Sequence, residues 1–185
     1  MRRFDPAFLD GRDLVEPVVT DADLESADFA DWYAHEHRRL LTSLILVTGS
    51  LDAAQEATDE AFTRAFAHWS RVATMASREG WTYRVALNVV RRRARRAQLE
   101  RVLLARQRPA TEVPAPADEA WLMVRELPPR QRTAVVLRFV ADMTEQQVGE
   151  AMGVSRSTIS SALADARTAL AGMLTESNDL PIVRG

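Results

Sequence analysis

A stretch of twenty residues in the second half of the chain has the residue types and spacing of a helix-turn-helix, a motif that contacts DNA. It runs from Thr144 to Leu163. Two helices that cross steeply need a small residue midway along the first helix, and Gly149 stands there. The tight turn needs a residue that tolerates positive φ, which Gly153 supplies. An apolar wedge and an exposed face of the second helix are predicted from the same spacing: Val148, Met152, Val154, Ile159 and Leu163 for the wedge, and Arg156, Ser157, Ser160, Ser161 and Ala164 for the face.

Cationic side chains are concentrated in the middle of the chain, where they could neutralise phosphates. The formal net charge is only −2, and all 24 basic residues are arginine. Residues 1–31 hold three arginines against nine acids, whereas residues 32–108 hold fourteen against seven, a net charge of +7. Five arginines fall within the six positions 91–96, more than a helix end requires. A basic block hidden by an acidic segment is typical of a nucleic-acid-binding protein.

Other kinds of chemistry find no support in the sequence. Cysteine is absent, which excludes disulfides and sulfur-ligated metals. His35 and His37 are two apart on a predicted helix, so they point to different faces and cannot chelate one ion. No phosphate loop or nucleophile motif is present. We therefore expect a protein that is not an enzyme and that uses no metal and no cofactor.

Membrane and export signals are not apparent either. The longest apolar stretch, Leu40 to Val47, is interrupted by Thr42 and Ser43 and is shorter than the ~18 residues that span a bilayer. The residues after Met1 soon turn acidic, with no apolar signal-peptide core. The sequence predicts a soluble, cytoplasmic protein.

The elements that must position these residues are predicted to be helices throughout. Residues 1–27 are acidic, show no sustained period and are predicted to be mostly disordered. A helical period begins at Asp28 and stops at Gly49; Ser50 is placed to cap a second helix that extends to about Trp69. A short polar connection, 70–77, precedes a third helix that begins near Arg78 and carries the arginine run.

A proline-containing segment, 107–117, is predicted to link this block to a second helical block. Pro128, Pro129 and Gly153 mark boundaries between predicted helical segments. There are four such segments: 118–127, 129–140, 144–152 and 155–174. The fold class is therefore predicted to be all-α, with two small helical domains at 28–106 and 118–175 and a tail at 176–185.

Three segments in this order resemble the extracytoplasmic-function (group IV) sigma factors of the sigma-70 family. Residues 52–66 resemble region 2.2, residues 81–88 with the arginine run resemble regions 2.3 and 2.4, and residues 127–139 with the helix-turn-helix resemble region 4. The match covers about residues 28–175. It implies a transcription initiation factor that binds RNA polymerase core and directs it to promoters, melting the −10 element through region 2 and contacting the −35 element through region 4.

The resemblance also implies roles for particular residues. Region 2.2 would dock on the coiled coil of the polymerase β′ clamp through a polar stripe: Gln55, Glu56, Asp59, Glu60 and Arg64. Regions 2.3 and 2.4 would hold −10 DNA and a flipped base with aromatic and cationic side chains: Trp69, Trp81, Tyr83, Arg84, Asn88, Arg91, Arg92 and Arg95. Trp69 and Trp81 could equally be core residues. Region 4 would contact the β flap and read −35 DNA: Arg156, Ser157, Thr158, Ser160, Ser161 and Arg167.

The predicted recognition helix departs from the family pattern, because Arg156 and Arg167 are its only cations. Readout at −35 could rest on Ser/Thr hydrogen bonds, on DNA shape, or on other proteins that hold region 4 in place. Alternatives to a sigma factor are a stand-alone helix-turn-helix regulator, and a chain whose region 4 has become a protein-interaction module. A helical hairpin without a ligand is the simplest alternative for the motif itself. The family also implies an anti-sigma factor as a candidate partner.

Overall fold

A computed structural model describes residues 21–104 and 119–178, and every regular element in these two ranges is a helix. The predicted linker 107–117 and most of the predicted acidic segment and tail lie outside the described residues. The helices, in chain order, are α1 (Asp21–Thr48), α2 (Leu51–Ala67), α3 (Trp69–Val72), α4 (Arg78–Leu104), α5 (Glu119–Glu126), α6 (Pro129–Phe139), α7 (Glu145–Met152) and α8 (Arg156–Asn178). The predicted all-α fold is confirmed.

The first block, α1 to α4, contains the turn that its sequence predicts. Gly49 adopts φ 67° after the last residue of α1, a conformation that L side chains rarely adopt. The Ser50 hydroxyl then accepts a hydrogen bond from the backbone N–H of Ala53 at 3.3 Å, which caps α2. The two helices are therefore joined by a turn of two residues and pack closely against each other.

Three boundaries differ from the sequence-based expectation. α1 begins at Asp21, so residues 21–27 are helical although the lack of an apolar period predicted disorder. α2 ends at Ala67, and the segment expected to be a polar connection contains the short helix α3. The break falls at His68, whose φ of −127° is not helical and lets α3 turn Trp69 and Val72 into the core. α8 continues to Asn178, into the segment predicted to be a tail.

In the second block, α5 to α8, particular residues fix where the helices begin. Pro129 occupies the start of α6, where a missing N–H costs nothing. α7 opens with a capping box, in which the Thr144 hydroxyl accepts from the N–H of Gln147 while the Gln147 side chain accepts from the N–H of Thr144 at 2.8 Å. The capping box thus starts α7, and the helix-turn-helix packs against α6.

The two blocks pack against each other, with α7 on α4 and α6 on α1. Their buried apolar side chains form one cluster that includes Leu44 and Tyr83 from the first block and Leu137, Met143 and Val148 from the second. The arginine-bearing helix and the helix-turn-helix are thus held side by side.

Two further features are absent from the described ranges. None of the helices there is long and apolar enough to cross a membrane. Histidine, aspartate and glutamate side chains within 21–104 and 119–178 form no group of three or more that could hold a metal ion.

Candidate nucleic-acid interface

One side of α4 carries most of the polar side chains predicted to hold −10 DNA. Arg84, Asn88, Arg92 and Arg95 are exposed, and Arg91 is half-buried. Positions 84, 88, 91 and 95 are separated by three or four residues, which places them on one helical face. The opposite, apolar face packs on α2. We call these five residues the arginine face. It holds four arginines and one asparagine, and every member except Arg91 is exposed to solvent.

Arg91 differs from the other members because its guanidinium already has protein partners. One nitrogen donates to the side-chain oxygen of Asn88 at 3.3 Å, and the other donates to the backbone carbonyl of Met152 at 3.0 Å. Met152 is the last residue of α7. The arginine face is therefore in contact with the helix-turn-helix.

The three aromatic residues predicted to stack on a flipped base do not share one environment. Trp69 is only 4% exposed and Tyr83 only 2%, so neither ring is open to a base. Trp81 is half-buried and keeps an accessible part. The aromatic contribution to this face is thus restricted to Trp81. The sequence could not distinguish the three, because contacts with other helices decide which ring becomes core.

Tyr83 is a core residue with a defined polar contact. Its hydroxyl lies 3.3 Å from the hydroxyl of Ser43 on α1. Burial raises the pKa of Tyr83 to about 12, because the interior disfavours the phenolate. The side chain is therefore a neutral link between α1 and α4.

The polar stripe on α2 is at the surface, as its spacing predicts. Gln55, Glu56, Asp59 and Arg64 are exposed and Glu60 is half-buried. Within the stripe, Arg64 donates to Glu60 at 2.7 Å, an ion pair one helical turn apart. Glu56 forms an ion pair with Arg93 of α4. The stripe thus lies beside the helix that carries the arginine face and is joined to it by a charge pair.

An aromatic groove borders this stripe, and sequence reasoning did not single it out. The groove lies between α1 and α2 and is lined by Phe29, Tyr33, Asp59, Phe62, Thr63 and Phe66. Phe66 is 57% exposed, and its ring centroid lies 4.9 Å from that of Phe29. The available signal was the pair Phe62 and Phe66, since only one of them is needed to face the core. Asp59 belongs to both the stripe and the groove.

The helix-turn-helix has the backbone geometry that its glycines predict. Gly153 adopts φ 71°, and its N–H bonds to the carbonyls of the last turn of α7. A Cβ at Gly149 would lie 2.8 Å from the backbone oxygen of Val154, so only glycine allows this approach. Four of the five predicted wedge residues are buried and the fifth, Val154, is half-buried; the four are Val148, Met152, Ile159 and Leu163.

The solvent face of α8 is polar but only weakly cationic. Ser157, Ser160 and Ser161 are exposed, as are the two arginines, whereas Thr158 is half-buried beside Ser155. Arg156 lies 3.5 Å from Glu145, with its side chain 71% exposed. Arg167 donates to the carbonyl of Leu163 at 3.3 Å. This face therefore offers hydroxyl groups and, at the start of the helix, the Arg156 guanidinium, which is paired with Glu145 but largely exposed.

Comparison with known proteins agrees with these features. Residues 117–170 match the family model described as sigma-70, region 4. The RNA polymerase sigma-E factor of Streptomyces antibioticus is 32% identical over 125 residues, which are 64% of this chain and 68% of that protein.

Two solved structures share the fold. The sigma factor RpoE, solved in complex with the anti-sigma factor NepR from Bartonella quintana, has a TM-score of 0.68 at 17% identity and covers 80% of this chain and 97% of its own. CnrH, solved in complex with the cytosolic domain of CnrY, has a TM-score of 0.58 at 18% identity and covers 84% of this chain and 94% of its own.

The family assignment rests on two of these matches. The match to the Streptomyces antibioticus sigma-E factor covers 68% of that protein. The family model covers the block whose helix-turn-helix geometry is described above. The chain belongs to the extracytoplasmic-function sigma factors of the sigma-70 family, transcription initiation factors that direct RNA polymerase to specific promoters.

Proposed function

We propose that the chain divides promoter recognition between its blocks, with α4 holding the −10 element and α8 contacting the −35 element. The observation that carries the proposal is the arginine face of α4. Four polar side chains lie exposed there along one helix face, in a chain whose overall charge is negative. Cations in a row suit the phosphates of a separated strand.

Base holding at −10 is proposed to use Trp81. It is half-buried at the start of α4, one turn before Arg84, so its ring is supported by the protein while part of it stays accessible. A base flipped out of the duplex can stack on such a ring, and stacking is worth about 1–3 kcal/mol per base. Trp69 and Tyr83 support this surface from the core rather than touch DNA.

Contact at −35 is proposed to depend on hydroxyl groups and shape more than on charge. Ser157, Ser160 and Ser161 face solvent on α8, and Arg156 stands at its N-terminal end, where phosphate contacts occur in helix-turn-helix proteins. Few cations predict a weak dependence of this contact on salt. Serine hydroxyls both donate and accept, so they tolerate several bases.

Docking on RNA polymerase core is proposed to use the polar stripe of α2 for the β′ clamp coiled coil and region 4 for the β flap. The stripe holds three acidic side chains and borders the aromatic groove, so it would suit a helical partner with basic residues and an apolar anchor. Phe66, more than half exposed, is the anchor residue on this side.

An anti-sigma factor is proposed as a further partner. Both structures of similar fold were solved with a bound polypeptide, NepR for RpoE and the cytosolic domain of CnrY for CnrH. A protein of that kind would compete for the surfaces that face polymerase or DNA.

Run-off transcription with purified core polymerase tests the proposal. The wild-type chain is expected to give promoter-specific products from genomic fragments. Replacement of Arg84, Arg92 and Arg95 together by alanine should abolish open complexes, as measured by permanganate reactivity of the melted strand. Arg96→Ala, which removes a single exposed arginine beside the arginine face, should reduce melting far less than Arg92→Ala alone. Promoter-specific products without detectable dependence on Arg84, Arg92 and Arg95 would contradict the assignment of α4.

A second experiment tests docking separately from DNA contact. Phe66→Ala and Asp59→Ala should each weaken capture of the chain by immobilised core polymerase by roughly tenfold or more, which corresponds to a loss of about 1.4 kcal/mol. Arg71→Ala, at an exposed position of α3 outside stripe and groove, is the control. Equal capture of all three variants would exclude the α1–α2 surface as the docking site.

A further inference from the structure

The two arginines of α8 are held by different parts of the protein. Arg167 donates from Nε to the carbonyl of Leu163, one turn earlier on the same helix, at 3.3 Å. Arg156 is the first residue of α8, and its Nε lies 3.5 Å from a carboxylate oxygen of Glu145, the first residue of α7. The guanidinium of Arg156 is therefore tied to the other helix of the helix-turn-helix.

The backbone of the helix-turn-helix brings Glu145 and Arg156 together. Glu145 and Gly149 are four residues apart, so they lie on the same face of α7. A Cβ at Gly149 would lie 3.4 Å from the backbone nitrogen of Arg156. The start of α8 therefore rests against this face of α7, one turn away from Glu145. The ion pair follows from the close crossing of the two helices.

Local hydrogen bonds fix the backbone at both ends of the ion pair. The capping box of Thr144 and Gln147 starts α7 at Glu145, where the helix dipole favours a negative charge. The Ser155 hydroxyl accepts from the N–H of Thr158 at 3.2 Å, where α8 begins. The Glu145 carboxylate is therefore a well-placed, charged acceptor for the first side chain of α8.

The ion pair uses only part of the Arg156 guanidinium. Nε donates to Glu145, whereas the two terminal nitrogens have no acceptor among the residues that the structure describes. The Arg156 side chain is 71% exposed and that of Glu145 is 28% exposed. The two terminal nitrogens are therefore open to solvent, and they can donate to two acceptors that lie side by side.

A guanine edge suits this guanidinium better than a phosphate does. Guanine presents N7 and O6 together in the major groove, and arginine commonly donates to both. These acceptors carry no formal charge, whereas a phosphate is an anion that the Glu145 carboxylate would repel. The N-terminal residues of a recognition helix are also the ones that reach base edges. Arg156 is therefore suited to reading sequence.

The other side chains of α8 offer no equivalent donor in the same place. Ser160, Ser161 and Asp165 are exposed but lack a fork of donors. Arg167 is eleven positions beyond Arg156, which is about 16 Å along the axis at about 1.5 Å per residue. It is also bonded to its own helix. Recognition of guanine by α8 therefore depends on its first residue.

We propose that Glu145 is a positioning residue that orients Arg156 to read one guanine of the −35 element. This inference deepens the proposed function and rests on its assignment of the −35 contact to α8. Glu145 holds Nε, so that the terminal nitrogens of Arg156 face a base edge instead of a phosphate. The −35 element then contains a G·C pair whose recognition depends on both residues.

Selection from a promoter library tests the proposal with the full chain bound to core polymerase. The template is a promoter fragment that gives run-off product with the wild-type chain. Its base pairs around −35 are randomised, and each template carries a barcode in the transcribed region. The wild-type chain should prefer G·C at one position by at least about fivefold, the lower end for a bidentate arginine–guanine contact.

Two variants should change this preference without changing the others. Arg156→Ala should abolish the G·C preference at that position. Glu145→Ala should reduce it by at least about threefold, because an unsupported guanidinium is no longer held in the productive geometry. Glu150→Ala is the matched charge control, since Glu150 is an exposed acid on α7 that accepts from Gln146 at 2.8 Å. It should leave every preference around −35 unchanged.

Binding to duplex DNA of random sequence separates positioning from folding. Glu145→Ala should bind this duplex at least as tightly as the wild-type chain does, because a charge that repels phosphates is removed. Fluorescence anisotropy with the full chain measures the affinity. Weaker binding, together with loss of all preferences around −35, would show that Glu145 only maintains the fold, and the proposal would be wrong.

A double variant completes the test. In the Arg156→Ala background, Glu145→Ala should alter no preference further, because Glu145 acts through Arg156. An equal effect of Glu145→Ala with and without Arg156 would overturn the proposal. A G·C preference that survives either single substitution would also overturn it. Absence of any preference around −35 in the wild-type chain would instead contradict the proposed −35 contact of α8, and this inference with it.

Discussion

Single residues set the local geometry of the helix-turn-helix, and Gly149 is the most restrictive of them. A Cβ at this position would lie 2.8 Å from the backbone oxygen of Val154. Gly172 on α8 is the opposite case, with open space around it. The two glycines therefore have different physical reasons for being present.

Alanine substitution should separate these reasons. Gly149→Ala should lower the free energy of unfolding by about 1–3 kcal/mol, because backbone must shift to admit the methyl group. Gly172→Ala should raise it by about 0.5–1 kcal/mol, because glycine inside a helix carries extra conformational entropy when unfolded. Urea denaturation of both variants measures the difference. Similar changes in the two variants would show that the close approach at Gly149 is unimportant.

Glu36 is a half-buried carboxyl group on α1, 3.5 Å from the guanidinium of Arg39. Burial, opposed by Arg39 and assisted by Glu79, raises the pKa of Glu36 above its ordinary value of 4.5. The folded state therefore holds this proton more tightly than the unfolded state. Its contribution to stability is present at pH below 4.5 and is lost as pH rises through the folded pKa.

Glu79→Gln should lower the pKa of Glu36, because it removes a repelling charge. Glu36→Gln should make the protein relatively more stable as pH increases through the same window. Carbon-detected NMR titration of the Glu36 carboxyl follows the first effect, and urea denaturation between pH 4 and 7 follows the second. A Glu36 titration midpoint unaltered by Glu79→Gln would contradict the assigned interaction.

At the scale of an element, α4 combines two functions on opposite faces. Ala86 and Leu87 are buried, while Arg84, Asn88 and Arg92 remain exposed. The core face holds the helix in place, so the cations on the other face need no loop to orient them. A rigid helix therefore presents its charges in a fixed row.

Salt dependence should report the number of phosphates that this row contacts. For single-stranded DNA the slope of log K against log salt changes by about 0.7 per phosphate contact. Arg92→Ala with Arg95→Ala should therefore reduce the slope for the free chain by about 1.4, whereas Arg156→Ala on α8 should change it little. Fluorescence anisotropy over a salt series measures both. A larger effect at Arg156 would place the main single-strand contact on the second block.

At the scale of the whole molecule, the arrangement of the two blocks decides which surfaces are available. The arginine face, the α2 stripe and the exposed face of α8 are all accessible in part, but the inner side of α7 is covered by α4. Separation of the blocks changes the environment of Arg91, Gln147 and Met143 without requiring any helix to unfold.

If α4 and α8 bind separate promoter elements as proposed, distance measurement should detect separation of the two blocks. Nitroxide labels at Ser77→Cys and Gln147→Cys should give a short interspin distance, on the order of 20 Å or less, in the free chain. Addition of core polymerase and promoter DNA should shift the distribution by tens of ångströms. The −10 and −35 elements lie about 25 base pairs apart, which is about 85 Å at about 3.4 Å per pair. A short distance that persists in the initiation complex would show that the blocks stay packed during initiation.

Much of the secondary structure could be predicted because its signals are local. Gly49 with Ser50, Pro129, and Thr144 with Gln147 each use a backbone or capping preference that acts within a few residues. The early start of α1 and the short α3 could not be predicted in this way. Residues 21–27 have no apolar period, and α3 has only four residues, with Trp69 and Val72 buried by contacts from α1 and α2.

The sequence by itself determined the helix-turn-helix, the arginine run and the polar stripe of α2, because residue type and helical spacing decide which side chains can share a face. Only the tertiary structure decided which aromatic residues stay accessible and which become core. The residue types of Trp69, Trp81 and Tyr83 did not tell which ring stays accessible, and burial separates them through contacts with distant residues such as Ser43. The same holds for Arg91: its place in the run was evident, but its bond to Met152 depends on how two blocks pack across 61 residues of chain.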